Sequence, residues 1–170
     1  MVFDDSEPVR YVLDQVSNDF RFLSYLRIPA ESKKICSVNQ GNTSSWDNTT
    51  KWIVKSFNKN GYSSRYVGSL VADIHRTLLY GGIYMYPGIA KPKLRLLYEV
   101  APMAKIISAA GGAALSGIGL DLDDLLRKEP KSIHEKTDII CGCLRDIDLY
   151  RNLNTFSELM TKQNFKIEDI

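Results

Sequence analysis

The sequence predicts an α/β fold, a layered mixed sheet flanked by helices. Three observations carry this expectation. Short runs rich in β-branched and aromatic residues, at Lys34–Val38 (KICSV), Ile83–Tyr86 (IYMY) and Asp138–Cys143 (DIICGC), alternate with longer segments whose apolar residues recur at helical spacing. Gly and Pro pairs punctuate the boundaries, at Gly81-Gly82, Pro87-Gly88 and Gly111-Gly112. The chain has 170 residues, 44% of them apolar, enough for one domain with a real core. Alternation of strand and helix favours a layered domain over a bundle or a sandwich. The domain is expected over residues 1–153, followed by a polar, loosely attached tail at 154–170.

Taken in order, Tyr11–Leu26 mixes apolar and polar residues without a clean period and reads as one strand leading into an irregular segment. Lys34–Val38 is a short strand ending at the turn signal Asn39-Gln40-Gly41. Asp47 or Asn48 caps a helix that carries Trp52, Ile53 and Phe57 at helical spacing. A polar loop follows from Asn58 to Ser64. Ser69 caps the next helix, whose apolar face holds Val71, Ile74, Leu78 and Leu79 and which Gly81-Gly82 ends. Ile83–Tyr86 is a strand stopped by Pro87-Gly88. Leu94–Ala110 reads as a helix whose true start lies near Glu99, because Pro102 is tolerated only in a first turn. Ala113–Ser116 is a short strand, and Leu120–Leu126 alternates acidic and apolar residues. Asp138–Cys143 is a strand, followed by a helix from about Asp146 to Leu153.

Composition excludes several classes. A net charge of +2 is too small to argue for nucleic acid or an anionic membrane. No run reaches the length of a membrane span, and MVFDDSEPVRY lacks the pattern of a secretory signal. Three cysteines make no disulfide framework, and Cys141-Gly142-Cys143 sits in an apolar run as an ordinary strand. His75 and His134 are too isolated for zinc. Asp73 and His75, two apart on a helix, do not face each other. Gly111-Gly112 ends a helix, whereas phosphate loops precede one.

The residues suited to chemistry cluster between Arg65 and Gly112. Glu99 begins an apolar helix, where a carboxylate needs a partner; the helix dipole or a divalent cation would serve, and a surface acid is the plain alternative. Lys93 and Arg95 just before it can hold a phosphate or simply be solvated. Tyr66, Tyr80, Tyr84 and Tyr86 offer apolar rings with hydroxyl donors, and strand alternation puts Tyr84 and Tyr86 on one face. Such residues suit a phosphorylated sugar, and they are equally at home in a half-buried core.

The block RYVGSLVADIHRTLLYGGIYMYPG, followed by KLRLLYE and PMAKIISAAGG, resembles the carboxyl-terminal half of class I fructose-1,6-bisphosphatase. The likeness extends more loosely from SVNQGN at 37–42 to LDLDDLLRKEPKSIHEKTDIICG, covering most of residues 9–153. It implies the sugar- and 6-phosphate-binding lobe of a phosphoric monoester hydrolase of carbohydrate metabolism and gluconeogenesis, turning fructose 1,6-bisphosphate into fructose 6-phosphate and phosphate. By that resemblance Asn39, Tyr66, Tyr86 and Lys93 hold the 6-phosphate, Leu70 lies against the sugar, and Arg65 reaches into a neighbouring subunit's site. Glu99 is implied as the one metal ligand of this half, with Mg2+ as the cofactor. Gln40 departs from the family's usual glutamate, and Asn42 stands where some members have tyrosine. The acidic metal cluster of the other half is absent, so the lone lobe is expected to be inactive. A sedoheptulose-bisphosphatase lobe and a non-catalytic sugar-phosphate-binding or structural subunit are the alternatives. The implied partners are fructose bisphosphate or fructose 6-phosphate, and either further copies of this chain in a homo-oligomer or a chain carrying the missing lobe, without nucleic acid or membrane. The implied location is cytoplasmic, or plastid for a longer precursor.

Overall fold

A computed structural model describes residues 2–4, 7–87, 92–116, 121, 124, 127 and 129–163. At the centre is a five-stranded mixed sheet. Its strands, named in chain order, are β4 (Ile35–Ser37), β5 (Ser63–Ser64), β6 (Ile83–Tyr86), β8 (Gly112–Leu115) and β10 (Ile139–Cys143). The spatial order is β5-β4-β6-β10-β8. The β4 strand runs parallel to both β5 and β6, while β10 runs antiparallel to β6 and β8. The expected layered mixed sheet is therefore present. The polar loop read at Asn58–Ser64 ends as the short edge strand β5.

The two faces of the sheet are read off β6 and β10 by alternation. Tyr84, Ile139 and Cys141 pack to one side, against Ile74 and Leu78 of α2 (Leu70–Tyr80) and Ala104 and Ile107 of α3 (Ala101–Ala109). Ile83, Met85 and Ile140 pack to the other side, against Ile53, Val54 and Phe57 of α1 (Asn48–Lys59) and Ile147 of α4 (Leu144–Lys162). A helix pair thus covers each face. Asp47 caps α1 as expected, its Oδ1 accepting from the Thr50 N–H at 2.7 Å. The fully buried Asp146 carboxylate ties α4 to the chain leaving α1, accepting from the Tyr62 hydroxyl at 2.5 Å and from Cys143 Sγ at 3.0 Å.

Four local expectations change. Tyr11–Leu26 is not one strand: β2 (Glu7–Asp14) and β3 (Asp19–Tyr25) form a hairpin, joined at β2 by β1 (Val2–Asp4) into a separate three-stranded sheet. Asp14 Oδ1 accepts from Val16 N–H, and Asn18 adopts φ 54, which turns the chain. Beyond the buried Pro8 and Val9 the outer part of the hairpin is solvated on both faces, with Tyr11, Phe20 and Tyr25 all exposed, so no alternation marks it.

The helix expected from Glu99 instead begins at Ala101. Before it come β7 (Leu94–Arg95), paired with β9 (Lys136–Thr137), and a wide π turn at Leu96–Val100. Pro102 has no N–H to give the Tyr98 carbonyl, and the widened turn accommodates that loss. Ser69 occupies the capping position of α2 but makes no side-chain cap bond. Finally, α4 starts at Leu144 and continues to Lys162, because Trp52 stacks on Phe156 at 5.6 Å and Ser157 is buried against Thr49 Oγ1 at 2.8 Å. Within Leu120–Leu126 only Asp121 and Asp124 fall among the described residues; Asp121 bridges Leu115 and accepts from Arg151 at 2.6 Å.

All three thiols are buried. Burial, with Asp146 beside it, pushes the Cys36 thiol from 9.0 up to about 12, and burial alone pushes Cys141 up. Burial, then Asp138, raises the Tyr150 phenol from 10.0 to about 12. Each group ionises more easily once unfolded, so unfolding releases protons at high pH. Stability is accordingly expected to be unaffected by these groups below about pH 9 and to fall as pH rises from there towards about 12. Urea midpoints measured between about pH 8 and about pH 11 check this; a flat profile contradicts it.

Candidate sugar-phosphate site

Four segments meet at the carboxyl-side ends of β4 and β6. Asn39 follows β4 and opens a tight 3₁₀ turn at Gln40–Ser45. Its Oδ1 accepts from the Gly41 N–H at 3.1 Å, which leaves its amide nitrogen as the half able to donate. The loop after β5 brings in Tyr66 and Gly68, and Leu70 starts α2. From β6 come Tyr84 and Tyr86, and from the approach to β7 comes Lys93.

Together these residues line a cleft of about 270 Å³, completed by Asn42, Leu94 and Arg95. Among its described lining residues there is no carboxylate. There are two cations, three phenols and two amides, with Leu70 and Leu94 as apolar wall. That set suits an anion with a hydroxylated, partly apolar body.

The phenols are held protonated. Burial is the largest cause in each case: it raises Tyr66 with help from the Asp73 charge, Tyr86 with help from Tyr66 and Glu99, and Tyr84 furthest of the three. A neutral phenol donates its O–H to a phosphate, whereas a phenolate would repel it.

Of the residues singled out by the sequence, Asn39, Tyr66, Leu70, Tyr86 and Lys93 converge on this cleft. Arg65 does not line it; its Nη1 donates to the Ser64 carbonyl at 3.0 Å and the side chain is exposed. Glu99 does not line it either. Its Oε2 accepts from the Arg95 backbone N–H at 2.7 Å and from Arg95 Nη1 at 3.4 Å, so the acid is turned back onto a cation that does face the cleft. Tyr84 was legible from strand alternation. Arg95 was legible as a cation able to hold a phosphate beside Lys93, and Asn42 through the resemblance, at a position where some members have tyrosine.

Asp73 was missed as a structural centre. It is fully buried, and its carboxylate accepts from Ser37 Oγ, from the Val67 and Gly68 N–H groups and from Arg76 Nη2. No spacing rule exposes a carboxylate whose partners are backbone amides upstream of its helix.

The donor set does not make a magnesium site. Mg2+ takes oxygen ligands in octahedral geometry. Among the described residues no group of three or more His, Cys, Asp or Glu side chains comes together, and Glu99 stands as a single carboxylate beside an arginine. No helix among the described residues is long and apolar enough to cross a membrane.

Comparison with known proteins gives the same direction. Residues 28–155 match the family model of the fructose-1,6-bisphosphatase C-terminal domain. A fructose-1,6-bisphosphatase of Kluyveromyces lactis is 43% identical over 152 residues, covering 82% of this chain and 41% of that protein. A cytosolic fructose-1,6-bisphosphatase of Beta vulgaris is 47% identical over 131 residues, covering 72% and 37%. The crystal structure of Leishmania major fructose-1,6-bisphosphatase in the T-state superposes with a TM-score of 0.79 at 38% identity, over 86% of this chain and 46% of that one. The chain spans about two fifths of the length of these two sequence relatives. The match over most of its residues, in sequence and in fold, places this chain in the fructose-1,6-bisphosphatase C-terminal domain family.

Proposed function

We propose that this chain is the sugar-phosphate-binding lobe of a fructose-1,6-bisphosphatase and that its cleft takes the 6-phosphate of fructose 6-phosphate or of the bisphosphate. The observation that carries the reading is the convergence of Asn39, Tyr66, Leu70, Tyr86 and Lys93 on one carboxylate-free cleft. Lys93 supplies a point charge, Tyr66 and Tyr86 donate hydroxyls, and Asn39 donates its amide nitrogen. Leu70 offers an apolar wall to the sugar ring. Glu99 is proposed as one ligand of a magnesium site whose remaining ligands belong to a segment beyond this chain. Hydrolysis of the 1-phosphate then belongs to the assembled protein, in the cytoplasm by analogy with the relatives named cytosolic. A second reading, a non-catalytic sugar-phosphate-binding subunit, is favoured by Glu99 belonging, among the described residues, to no group of three or more metal-ligating side chains. A sedoheptulose bisphosphate would present the same phosphate to the same cleft.

Lys93→Ala is expected to weaken fructose 6-phosphate binding by roughly 1–3 kcal/mol, the scale for losing a bond to a charged group. Titration calorimetry checks this, and equal affinity in both chains sinks the reading. Arg65, exposed beside the cleft, is proposed to serve the cleft of a neighbouring copy, where its planar fork grips phosphate bidentately. Mixing Arg65→Ala chains with Lys93→Ala chains then restores part of the binding, because some mixed interfaces hold one intact cleft; no rescue contradicts the shared site.

A further inference from the structure

The cleft residues come from segments far apart in sequence, and a single buried carboxylate joins three of those segments. Asp73 lies one turn into α2, the helix that begins with the cleft residue Leu70. Its Oδ1 accepts from Ser37 Oγ at 2.9 Å, and Ser37 is the last residue of β4, two before Asn39. Its Oδ1 and Oδ2 accept from Val67 N–H at 3.1 and 3.2 Å, and Oδ2 accepts from Gly68 N–H at 3.1 Å. Those amides follow Tyr66 directly. Arg76, one turn further along α2, closes the arrangement: its Nη2 donates to Asp73 Oδ1, to Ser37 Oγ at 2.8 Å and to the Arg65 carbonyl at 2.9 Å.

Strand end, loop and helix start are thus fixed relative to one another by one acid and one guanidinium, both outside the cleft lining. Gly68 has φ 89, a conformation that side-chain-bearing residues rarely adopt, and its amide is held in that conformation by Asp73. The segment is anchored at its start, where the Arg65 N–H donates to the Cys36 carbonyl at 3.1 Å and the Tyr66 ring packs on the core, while Val67 and Gly68 are exposed and their amides are held by Asp73.

We propose that Asp73, with Arg76, is a positioning residue for the anion cleft: it holds the Arg65–Gly68 loop so that the Tyr66 hydroxyl and Asn39 face the same phosphate. This rests on the proposed sugar-phosphate reading. The role differs from general stability because it acts through two named amides. Asp73→Asn keeps the shape but replaces one carboxylate oxygen by an NH2, so a donor confronts the Gly68 or Val67 N–H and the loop is released.

The test compares the full chain with Asp73→Asn and with Ile147→Val, a core substitution on the opposite face of the sheet. Fructose 6-phosphate affinity is measured by calorimetry well below every melting temperature, and hydrogen exchange at the Val67 and Gly68 amides is measured without ligand. Asp73→Asn is expected to weaken binding about tenfold and to speed exchange at both amides. Ile147→Val is expected to lower the melting temperature and leave both readouts unchanged. If Asp73→Asn does not fold, Arg76→Lys takes its place. All three bonds come from the one nitrogen Nη2, and a lysine side chain is one bond shorter, so its ammonium stops short of Asp73, Ser37 and the Arg65 carbonyl and binding is expected to weaken by about threefold or more.

Wild-type affinity in a folded variant overturns the inference while leaving the sugar-phosphate reading intact. Unchanged exchange at the two amides overturns it whatever the chain binds. A wild-type chain that binds no sugar phosphate overturns the sugar-phosphate reading first and this role with it.

Discussion

Supplied with fructose 1,6-bisphosphate and magnesium, this chain by itself releases no phosphate above background. The expectation follows from the donor set. Phosphoryl transfer to water needs the spreading negative charge of the transition state met by hard cations, and those cations need several oxygen ligands in fixed geometry. The chain's cleft offers two cations and three phenols for a phosphate but no carboxylate among its described lining residues; close by, Asp73 is fully buried and held by Ser37, Arg76 and two backbone amides, and Arg95 already occupies one oxygen of Glu99. The cleft can hold substrate, and holding substrate and transition state equally well leaves the chemical step unaccelerated. A coupled phosphate assay checks this. Magnesium-dependent release that disappears in Glu99→Gln contradicts it.

The largest effect on folding is expected at Gly142, the fourth of the five residues of β10. A Cβ built there meets the Gly82 carbonyl oxygen at 2.2 Å and the Ile83 Cα at 2.9 Å. Both atoms are backbone, so no flexible side chain can swing aside. The contact lies where β10 pairs with β6, with Gly142 opposite Ile83, at the centre of the five-stranded sheet. Gly142→Ala must therefore separate the two strands that support both hydrophobic faces. The loss is expected to reach roughly 4–5 kcal/mol, a large part of the roughly 5–15 kcal/mol that stabilises a typical domain. Far-ultraviolet circular dichroism and a urea melt read it directly. A variant with the wild-type midpoint shows that the strands are not so closely apposed.

Legibility in the sequence followed the physics of each element. The strand Ile83–Tyr86 was readable because its two sides enter two different cores, which enforces alternation and puts Tyr84 and Tyr86 together. The Asp47 cap was readable because its bond is local, three residues along the chain. The β2–β3 hairpin was not, since neither face of its outer part is buried and so no periodic pattern is imposed. The wide turn before α3 was hidden because its cause, Pro102, also fits an ordinary first helical turn. The extension of α4 was hidden because its support comes from across the molecule, Trp52 on Phe156.

The cleft itself was only half legible. Residue types suggested phosphate, and strand alternation paired two of the tyrosines. The convergence of Asn39, Tyr66 and Lys93, spread over 55 positions of the chain, came from resemblance and not from any spacing. Asp73, which ties the loop and the strand end together, leaves only the local trace of Arg76 three residues on, because its other partners are two backbone amides and a serine brought to it by the tertiary fold.

The most direct test of the central claim is a crystal structure of this chain with fructose 6-phosphate bound. The expected result is a phosphate within about 2.6–3.2 Å of the Tyr66 and Tyr86 hydroxyls and Lys93 Nζ, with the sugar ring against Leu70. A phosphate seated elsewhere, or an empty cleft at saturating ligand, contradicts the assignment of this lobe as a sugar-phosphate binder.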